Sequence, residues 1–178
     1  MLIHIPKTAG TSIKKALGLR TDIVDYRIPK DMVNNLLWEK YFVFCFVRNP
    51  FERLVSLYKY HTSDVYCWQN GVLYLENPNL QNMEFEDYFY TYRHSPELQA
   101  QINYIHHKYS PYPIDYIGRF EDLIEDFNVL IRSINVKAKL PTLAPNLHQA
   151  YRHYYTLRFK QEVANFYGED LEYFKYTF

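Results

Sequence analysis

The feature of this chain that most constrains its fold is the continuous apolar run YFVFCFV at 41–47. A run of this length without alternation is typical of a strand buried on both faces, as in a parallel sheet. Such a strand needs helices on both sides to cover it, which favours an α/β architecture. The rest of the chain agrees, because short apolar segments alternate with segments of helical spacing.

The predicted elements alternate along the chain. Strands are predicted at 1–5, 22–26, 41–47 and 114–120. Helices are predicted at 11–18, 30–40, 50–62, 84–93, 97–107 and 121–133, and the aromatic tail 147–176 is also predicted to be helical. The segment 63–83 is rich in Asn, Gly and Pro and is predicted to be irregular. We therefore expect an α/β fold with a mostly parallel sheet, in one domain over 1–178.

Composition limits the classes of partner. The 20 basic and 20 acidic residues give a formal net charge of zero, so general electrostatic attraction to nucleic acid or to an anionic membrane is not expected. The cysteines, Cys45 and Cys67, are too few for a disulfide framework. No apolar run approaches the roughly 20 residues of a membrane helix, and no signal peptide precedes the first strand. We therefore expect a soluble, cytoplasmic protein whose anion sites are local clusters.

Two segments run from a strand through a polar turn into a helix: HIPKTAGTS at 4–12 and FVRNPFERLVS at 46–56. Turns of this kind direct free backbone N–H groups and the positive end of the helix dipole at one spot, which suits a phosphate. Each turn also carries a basic residue, Lys7 or Arg48. Together they predict a ligand with two separate phosphate groups.

In the first turn, each residue type suits an anion. Gly10 permits a close backbone approach or a positive φ. Thr11 or Ser12 can cap the helix and offer a hydroxyl, and Lys7 supplies a mobile charge. Lys7 precedes Gly10 and the chain has no GK[ST] sequence, so this is not a Walker A loop. The alternative is an ordinary capped helix with a surface lysine.

In the second turn, Arg48 ends the buried strand and Ser56 follows about two helical turns later. Ligands of parallel sheets sit outside the carboxyl ends of the strands, so we expect Arg48 at the same edge as Lys7. A guanidinium fork with a hydroxyl suits a second phosphate. The alternative for Arg48 is an ion pair with Glu52, and Arg53 is expected to face solvent or to pair with Glu52.

These segments resemble the sulfotransferases that use 3′-phosphoadenosine 5′-phosphosulfate (PAPS). HIPKTAGTS is similar to their 5′-phosphosulfate loop, and FVRNPFERLVSLY is similar to their 3′-phosphate motif. IGRFEDL at 117–123 resembles a third block found in the carbohydrate sulfotransferase branch. The ending, with Asn146, tyrosines and DLEYFKY, resembles that branch's C-terminal pattern. The resemblance implies a three-layer, P-loop NTPase-like fold, with a mostly parallel sheet flanked by helices.

The resemblance also implies roles for matching residues. Those expected to hold the donor PAPS are Lys7, Thr8, Ala9, Gly10, Thr11, Ser12, Arg48 and Ser56. The backbone of 8–12 and its hydroxyls would bind the 5′-phosphosulfate, and Arg48 and Ser56 the 3′-phosphate. Lys7 would stabilise the bridging oxygen as the sulfuryl group leaves. Such enzymes transfer this group in line to a hydroxyl or amine, here expected on a glycan or small molecule, and need no metal.

For the proton acceptor this chain departs from the family pattern, because many relatives place a His between the first two motifs and 13–47 contains none. The acidic residues of that region are Asp22, Asp25, Asp31 and Glu39. The next histidines are His61 and His94. A base must reach the acceptor's proton, and we predict that His94 or Asp25 does so.

Two other functions stay open. A non-catalytic relative that binds nucleotide or glycan is compatible with the missing His and the short chain. A P-loop kinase would need a Walker A Lys-Ser/Thr and a magnesium-holding Asp, and the first is absent.

Overall fold

The computed structural model describes residues 1–19, 40–63, 66–69, 72–75, 80–105, 114–141 and 151–178. The predicted strand 22–26 lies outside these ranges, as does all but the last residue of the predicted helix 30–40.

The described elements are five strands, seven α-helices and one 3₁₀ helix. The strands are β1 (Leu2–Ile3), β2 (Phe44–Val47), β3 (Tyr66–Gln69), β4 (Val72–Leu75) and β5 (Tyr116–Arg119). The α-helices are α1 (Gly10–Ala16), α2 (Pro50–Thr62), α3 (Phe85–Tyr92), α4 (Ile102–Ile105), α5 (Leu123–Ser133), α6 (Leu157–Phe166) and α7 (Gly168–Phe174). The 3₁₀ helix is Tyr151–Tyr154.

Within the described residues, β1, β2 and β5 form a parallel sheet in the order β1–β2–β5. Phe44 of β2 is in register with Leu2 on one side and with Tyr116 on the other. All four residues of β2 are buried. The central strand predicted from 41–47 is therefore confirmed, although it is shorter than the apolar run.

Both faces of this sheet are covered. The buried residues on one face, which include Phe44 and Phe46, are packed with Ile13 of α1 and with Leu123, Phe127 and Leu130 of α5. Those on the other face, Ile3, Ile5, Val43, Cys45 and Val47, are packed with Ile102, Tyr104, Ile105 and Phe174. A small parallel sheet flanked by helices confirms the α/β architecture.

A second core, rich in aromatic rings, lies around α2. It joins α2 to α3 and α6 through Phe51, Leu54, Phe85, Phe89 and Phe159. The rings of Phe85 and Phe159 meet edge to face at 5.4 Å, a favourable aromatic geometry. Helix α2 therefore begins at the sheet edge, and its body is fixed by this core.

Several helix predictions are confirmed within a few residues. Helix α2 has the predicted bounds, with Pro50 in its first turn and Asn49 accepting a hydrogen bond from the Phe51 N–H at 3.1 Å. Of the described part of 97–107, only Ile102–Ile105 is helical. No helix in the described ranges has the length and apolar character needed to cross a membrane.

The segment 63–83 differs from its prediction. It contains β3 and β4, an antiparallel pair in which Gln69 is opposite Val72. Two residues, Asn70 and Gly71, separate these strands in the sequence, and Asn-Gly is the dipeptide that favours two-residue hairpins. The prediction of an irregular segment was wrong. It took Asn70 and Gly71 as loop formers and did not take account of the β-favouring residues on both sides of them.

Candidate active site at the edge of the sheet

The first turn is built from strained backbone. Lys7 and Ala9 have φ values of 65° and 66°, in the left-handed region that non-glycine residues rarely occupy. Such conformations cost about 1 kcal/mol or more each and persist only where the surroundings impose them. Part of that support comes from the buried Thr8, whose hydroxyl donates to the Ile5 carbonyl at 2.9 Å.

Helix α1 begins earlier than predicted, at Gly10, and Ala9 is its N-cap. The prediction that Thr11 or Ser12 caps the helix is therefore wrong, because both lie within the first turn. Ala9 makes no side-chain cap, and the first turn carries no acidic residue. N–H groups of a first helical turn have no partner within the helix, so this turn suits an anion.

Gly10 is required for a close approach rather than for a positive φ. A Cβ at this position would lie 2.1 Å from Cδ2 of His4, so the imidazole ring packs directly on the Gly10 backbone. Burial, with the positive charge of Lys14, lowers the pKa of His4 to about 4. His4 is therefore neutral at pH 7 and forms an uncharged support for the turn.

In the second turn, Arg48 is only 2% exposed and bridges the two turns. Its Nη1 donates to the Lys7 carbonyl at 3.2 Å, and its Nη2 pairs with Glu52 at 3.0 Å. The guanidinium also lies over the Phe120 ring, 4.0 Å from the centroid. The expected placement of Arg48 at the same sheet edge as Lys7 is thus confirmed, and the pair with Glu52 is present as well.

The backbone of Arg48 is held by the side chain of Gln101. The Arg48 N–H donates to Gln101 Oε1 at 2.9 Å, and Gln101 Nε2 donates to the Arg48 carbonyl at 2.8 Å. Asp170 of α7 in turn accepts from the N–H groups of Gln101 and Ile102, each at 2.8 Å. A buried chain of hydrogen bonds therefore links the C-terminal helix to the end of β2.

The prediction for Arg53 was wrong, because this residue neither faces solvent nor pairs with Glu52. Its side chain is fully buried, and it donates to the carbonyls of Glu97 and Gln99 at 3.1 and 2.6 Å. The two terminal nitrogens of this buried guanidinium are thus satisfied by backbone carbonyls. Arg53 therefore shapes the segment that carries Gln101.

The third and fourth blocks also pack on the second turn. Glu121 accepts from the Asn49 N–H at 2.7 Å and from the Tyr176 hydroxyl at 2.9 Å. Asn49 Nδ2 donates to the Thr177 carbonyl at 2.7 Å. Segments that are distant in the sequence thus converge on the turn that presents Arg48.

The ammonium of Lys7 lies over the ring of Tyr60, 4.3 Å from the centroid. Burial, with the nearby charge of Arg48, lowers the pKa of Lys7. Glu52, Ser56 and Tyr60 are spaced by four residues along α2, so they share one face of the helix. On this face Ser56 lies between Glu52, which pairs with Arg48, and Tyr60, which contacts Lys7.

The proposed proton acceptors are not brought to this edge by any contact that the structure shows. His94 is exposed in the turn after α3, and Asp25 lies outside the described residues. His61, the other histidine considered, has its Nδ1 2.6 Å from the Tyr88 hydroxyl and its Nε2 3.0 Å from Glu97. Both ring nitrogens are thus engaged, so His61 joins α2 to its neighbours.

Three residues important to the site were missed by sequence reasoning. Tyr60 could have been found from the sequence, because it lies four residues beyond Ser56 on a helix whose bounds were predicted, and therefore on the same helix face. Gln101 and Asp170 had none, since nothing in their neighbourhood indicates burial against the end of β2.

Comparison with known proteins gives the family. The model of the sulfotransferase family matches residues 1–177. Carbohydrate sulfotransferase 11 of Rattus norvegicus is 31% identical over 143 residues, which cover 67% of this chain and 40% of that protein. The Mus musculus protein of the same name is 30% identical over 143 residues, which again cover 67% of this chain and 40% of that protein. The chain thus matches less than half the length of these relatives, and no solved structure matches it. On the match to nearly its whole length, the chain belongs to the sulfotransferase family.

Proposed function

We propose that this chain transfers a sulfuryl group from PAPS to a hydroxyl or amine of a carbohydrate. The observation that carries the proposal is the contact of Arg48 with the Lys7 carbonyl at 3.2 Å, since it joins the two turns that match the donor motifs. Family membership supports the activity and the donor, and the names of the two relatives support a carbohydrate acceptor.

The residues present fit a donor with two anionic groups. The first turn of α1 offers backbone N–H groups and the hydroxyls of Thr11 and Ser12, and it carries no acidic residue. These features suit the 5′-phosphosulfate. At the second turn, Arg48 and Ser56 suit the 3′-phosphate. Burial and the charge of Arg48 lower the pKa of Lys7, so anionic groups bound at the two turns would relieve the repulsion between these two cations.

In this mechanism Lys7 acts on the chemical step. The donor supplies the sulfuryl group, and negative charge builds on the bridging oxygen only as the S–O bond breaks. A cation that meets this charge stabilises the transition state more than the ground state. The turn of residues 8–12 holds and orients the group, and positioning of this kind is a large part of catalysis in group transfer.

His94 and Asp25 remain our proposed proton acceptors, and a positioned base typically contributes about 10²–10⁴-fold. We expect either His94→Ala or Asp25→Asn to abolish turnover while leaving bisphosphate binding intact. Loss of activity in neither variant would remove both assignments. The cytoplasmic location and the single domain likewise remain predictions.

The test is transfer of ³⁵S from labelled PAPS to a panel of glycans, phenols and lipids, with a reaction without enzyme as the blank. Label on a glycan is the expected result. Tight binding of 3′-phosphoadenosine 5′-phosphate without transfer to any acceptor would favour a non-catalytic relative. Calorimetric preference for ATP with magnesium over that bisphosphate would favour a kinase.

A further inference from the structure

We infer that Tyr60 is a positioning residue for Lys7, with the face of its ring holding the ammonium at the reacting edge of the sheet. The ammonium lies 4.3 Å from the ring centroid, well inside the roughly 6 Å over which a cation is attracted to an aromatic face. The role of this contact in turnover rests on the proposed sulfuryl transfer. The contact itself is seen in the structure and does not depend on that proposal.

Such a partner suits Lys7, because a lysine carries its ammonium on a long flexible stem with many rotamers. Among the described residues, the charged group that acts on it is Arg48, whose like charge disfavours a close approach. An aromatic face attracts the ammonium without neutralising it. The full charge of Lys7 therefore stays available to an anion, which a carboxylate partner would not permit.

The position of Tyr60 is itself fixed. It lies near the end of α2, and the next residue, His61, is held by Tyr88 and Glu97. Tyr60 is nevertheless 43% exposed, so its replacement removes the contact with Lys7 without opening a core. This combination of a fixed backbone and an accessible ring makes the role testable by substitution.

The discriminating series is Tyr60→Leu, Tyr60→Phe and Tyr60→Trp, because a cation is attracted by all three aromatic faces and not by leucine. Tyr90→Leu is the matched control, since Tyr90 is 40% exposed and carries the Arg93 guanidinium over its ring at 5.7 Å. The pKa of Lys7 is measured in each protein by trace acetylation across pH, with mass spectrometry of the peptide that contains it. Turnover and bisphosphate affinity are measured alongside.

We expect Tyr60→Leu to lower the pKa of Lys7, because the ring favours the charged form, and the aromatic variants and Tyr90→Leu to leave it near the wild-type value. In Tyr60→Leu, kcat should fall roughly threefold to thirtyfold, with bisphosphate affinity changed by less than about twofold. An unchanged pKa in Tyr60→Leu, or equal effects of Phe and Leu, would overturn the inference. If the wild-type protein has no turnover, the proposed function fails, and the acetylation series still decides whether Tyr60 holds Lys7.

Discussion

The two strand-to-helix turns of this protein present cations at the same edge of the sheet, but they are built differently. In the first turn, the backbone itself is special: Lys7 and Ala9 are left-handed, and Gly10 lies against the His4 ring. In the second turn, the backbone of Arg48 is held by side chains, through Gln101 and Asp170. The first turn thus depends on local conformation and the second on distant parts of the chain.

This difference predicts where each turn is vulnerable. A local change of volume or conformation should damage the first turn and leave the second intact. The second turn should be sensitive to substitutions in α7, which is far from Arg48 in the sequence. Both turns carry a cation, but only the cation of the first turn is proposed to meet charge that develops during the reaction.

The largest effect is expected from Lys7→Ala. Removing one group that stabilises developing charge typically lowers kcat about 10²–10³-fold, and bisphosphate affinity should fall much less. Lys15→Ala, at an exposed position of α1, is the control. Since the pKa of Lys7 is held below its ordinary value of 10.5, wild-type turnover should decline with rising pH before an ordinary lysine would lose its proton. Retained kcat with a raised KM would make Lys7 only a binding residue.

Asp170→Ala should damage the second turn through the fold. It leaves the buried N–H groups of Gln101 and Ile102 without their acceptor, and each such group costs about 1–3 kcal/mol. We expect the free energy of unfolding in urea to fall by about 2–4 kcal/mol. Glu169→Ala, exposed on the same helix, should be near neutral. Equal stability of the two variants would show that this network does not support the turn.

Gly10→Ala should damage the first turn. The added Cβ meets His4 Cδ2 at 2.1 Å, and overpacking of a well-packed site costs about 1–3 kcal/mol. Gly168→Ala is the matched control, because nothing lies within 4 Å of a Cβ at that position. Thermal unfolding of both variants gives the measurement. A Gly10→Ala protein as stable as the control would mean that the His4 ring moves aside freely.

The smallest effect is expected from Glu52→Gln, and it is a gain. Glu52 pairs with Arg48 at 3.0 Å and therefore competes with a phosphate for the same guanidinium. Loss of its charge should tighten bisphosphate binding about two- to fivefold, the scale of a modest ion pair. Glu125→Gln, at an exposed position of α5, should change nothing. Weaker binding by Glu52→Gln would instead mean that Glu52 is needed to orient Arg48.

The parts of this site that follow local rules were predictable. The apolar run at 41–47 fixes the central strand, Pro50 marks the start of α2, and parallel pairing brings Arg48 beside Lys7. The left-handed φ of Ala9 was not predictable, because alanine gives no indication of it and the surrounding structure imposes the conformation.

The parts that depend on tertiary contacts were not predictable from one sequence. Arg53 is fully buried although arginine is usually exposed, and the acceptors that permit this are carbonyls of a non-helical segment. Gln101 and Asp170 are buried and hydrogen-bond to each other, so neither residue taken alone indicates its role in the sequence. The hairpin β3–β4 is a different case, because its Asn-Gly signal was present and was given the wrong weight.

Calorimetric titration tests most directly whether the two turns hold two separate anionic groups, as we propose. Adenosine 3′,5′-bisphosphate and adenosine 5′-phosphate are titrated into the wild-type protein, Arg48→Ala and Ser56→Ala. We expect Arg48→Ala to weaken bisphosphate binding by about 2–4 kcal/mol, the range for truncating a buried charge partner, and to change 5′-phosphate binding little. Ser56→Ala should act in the same sense but less. Equal losses for the two nucleotides in both variants would contradict the claim, because they would mean a single, undivided anion site.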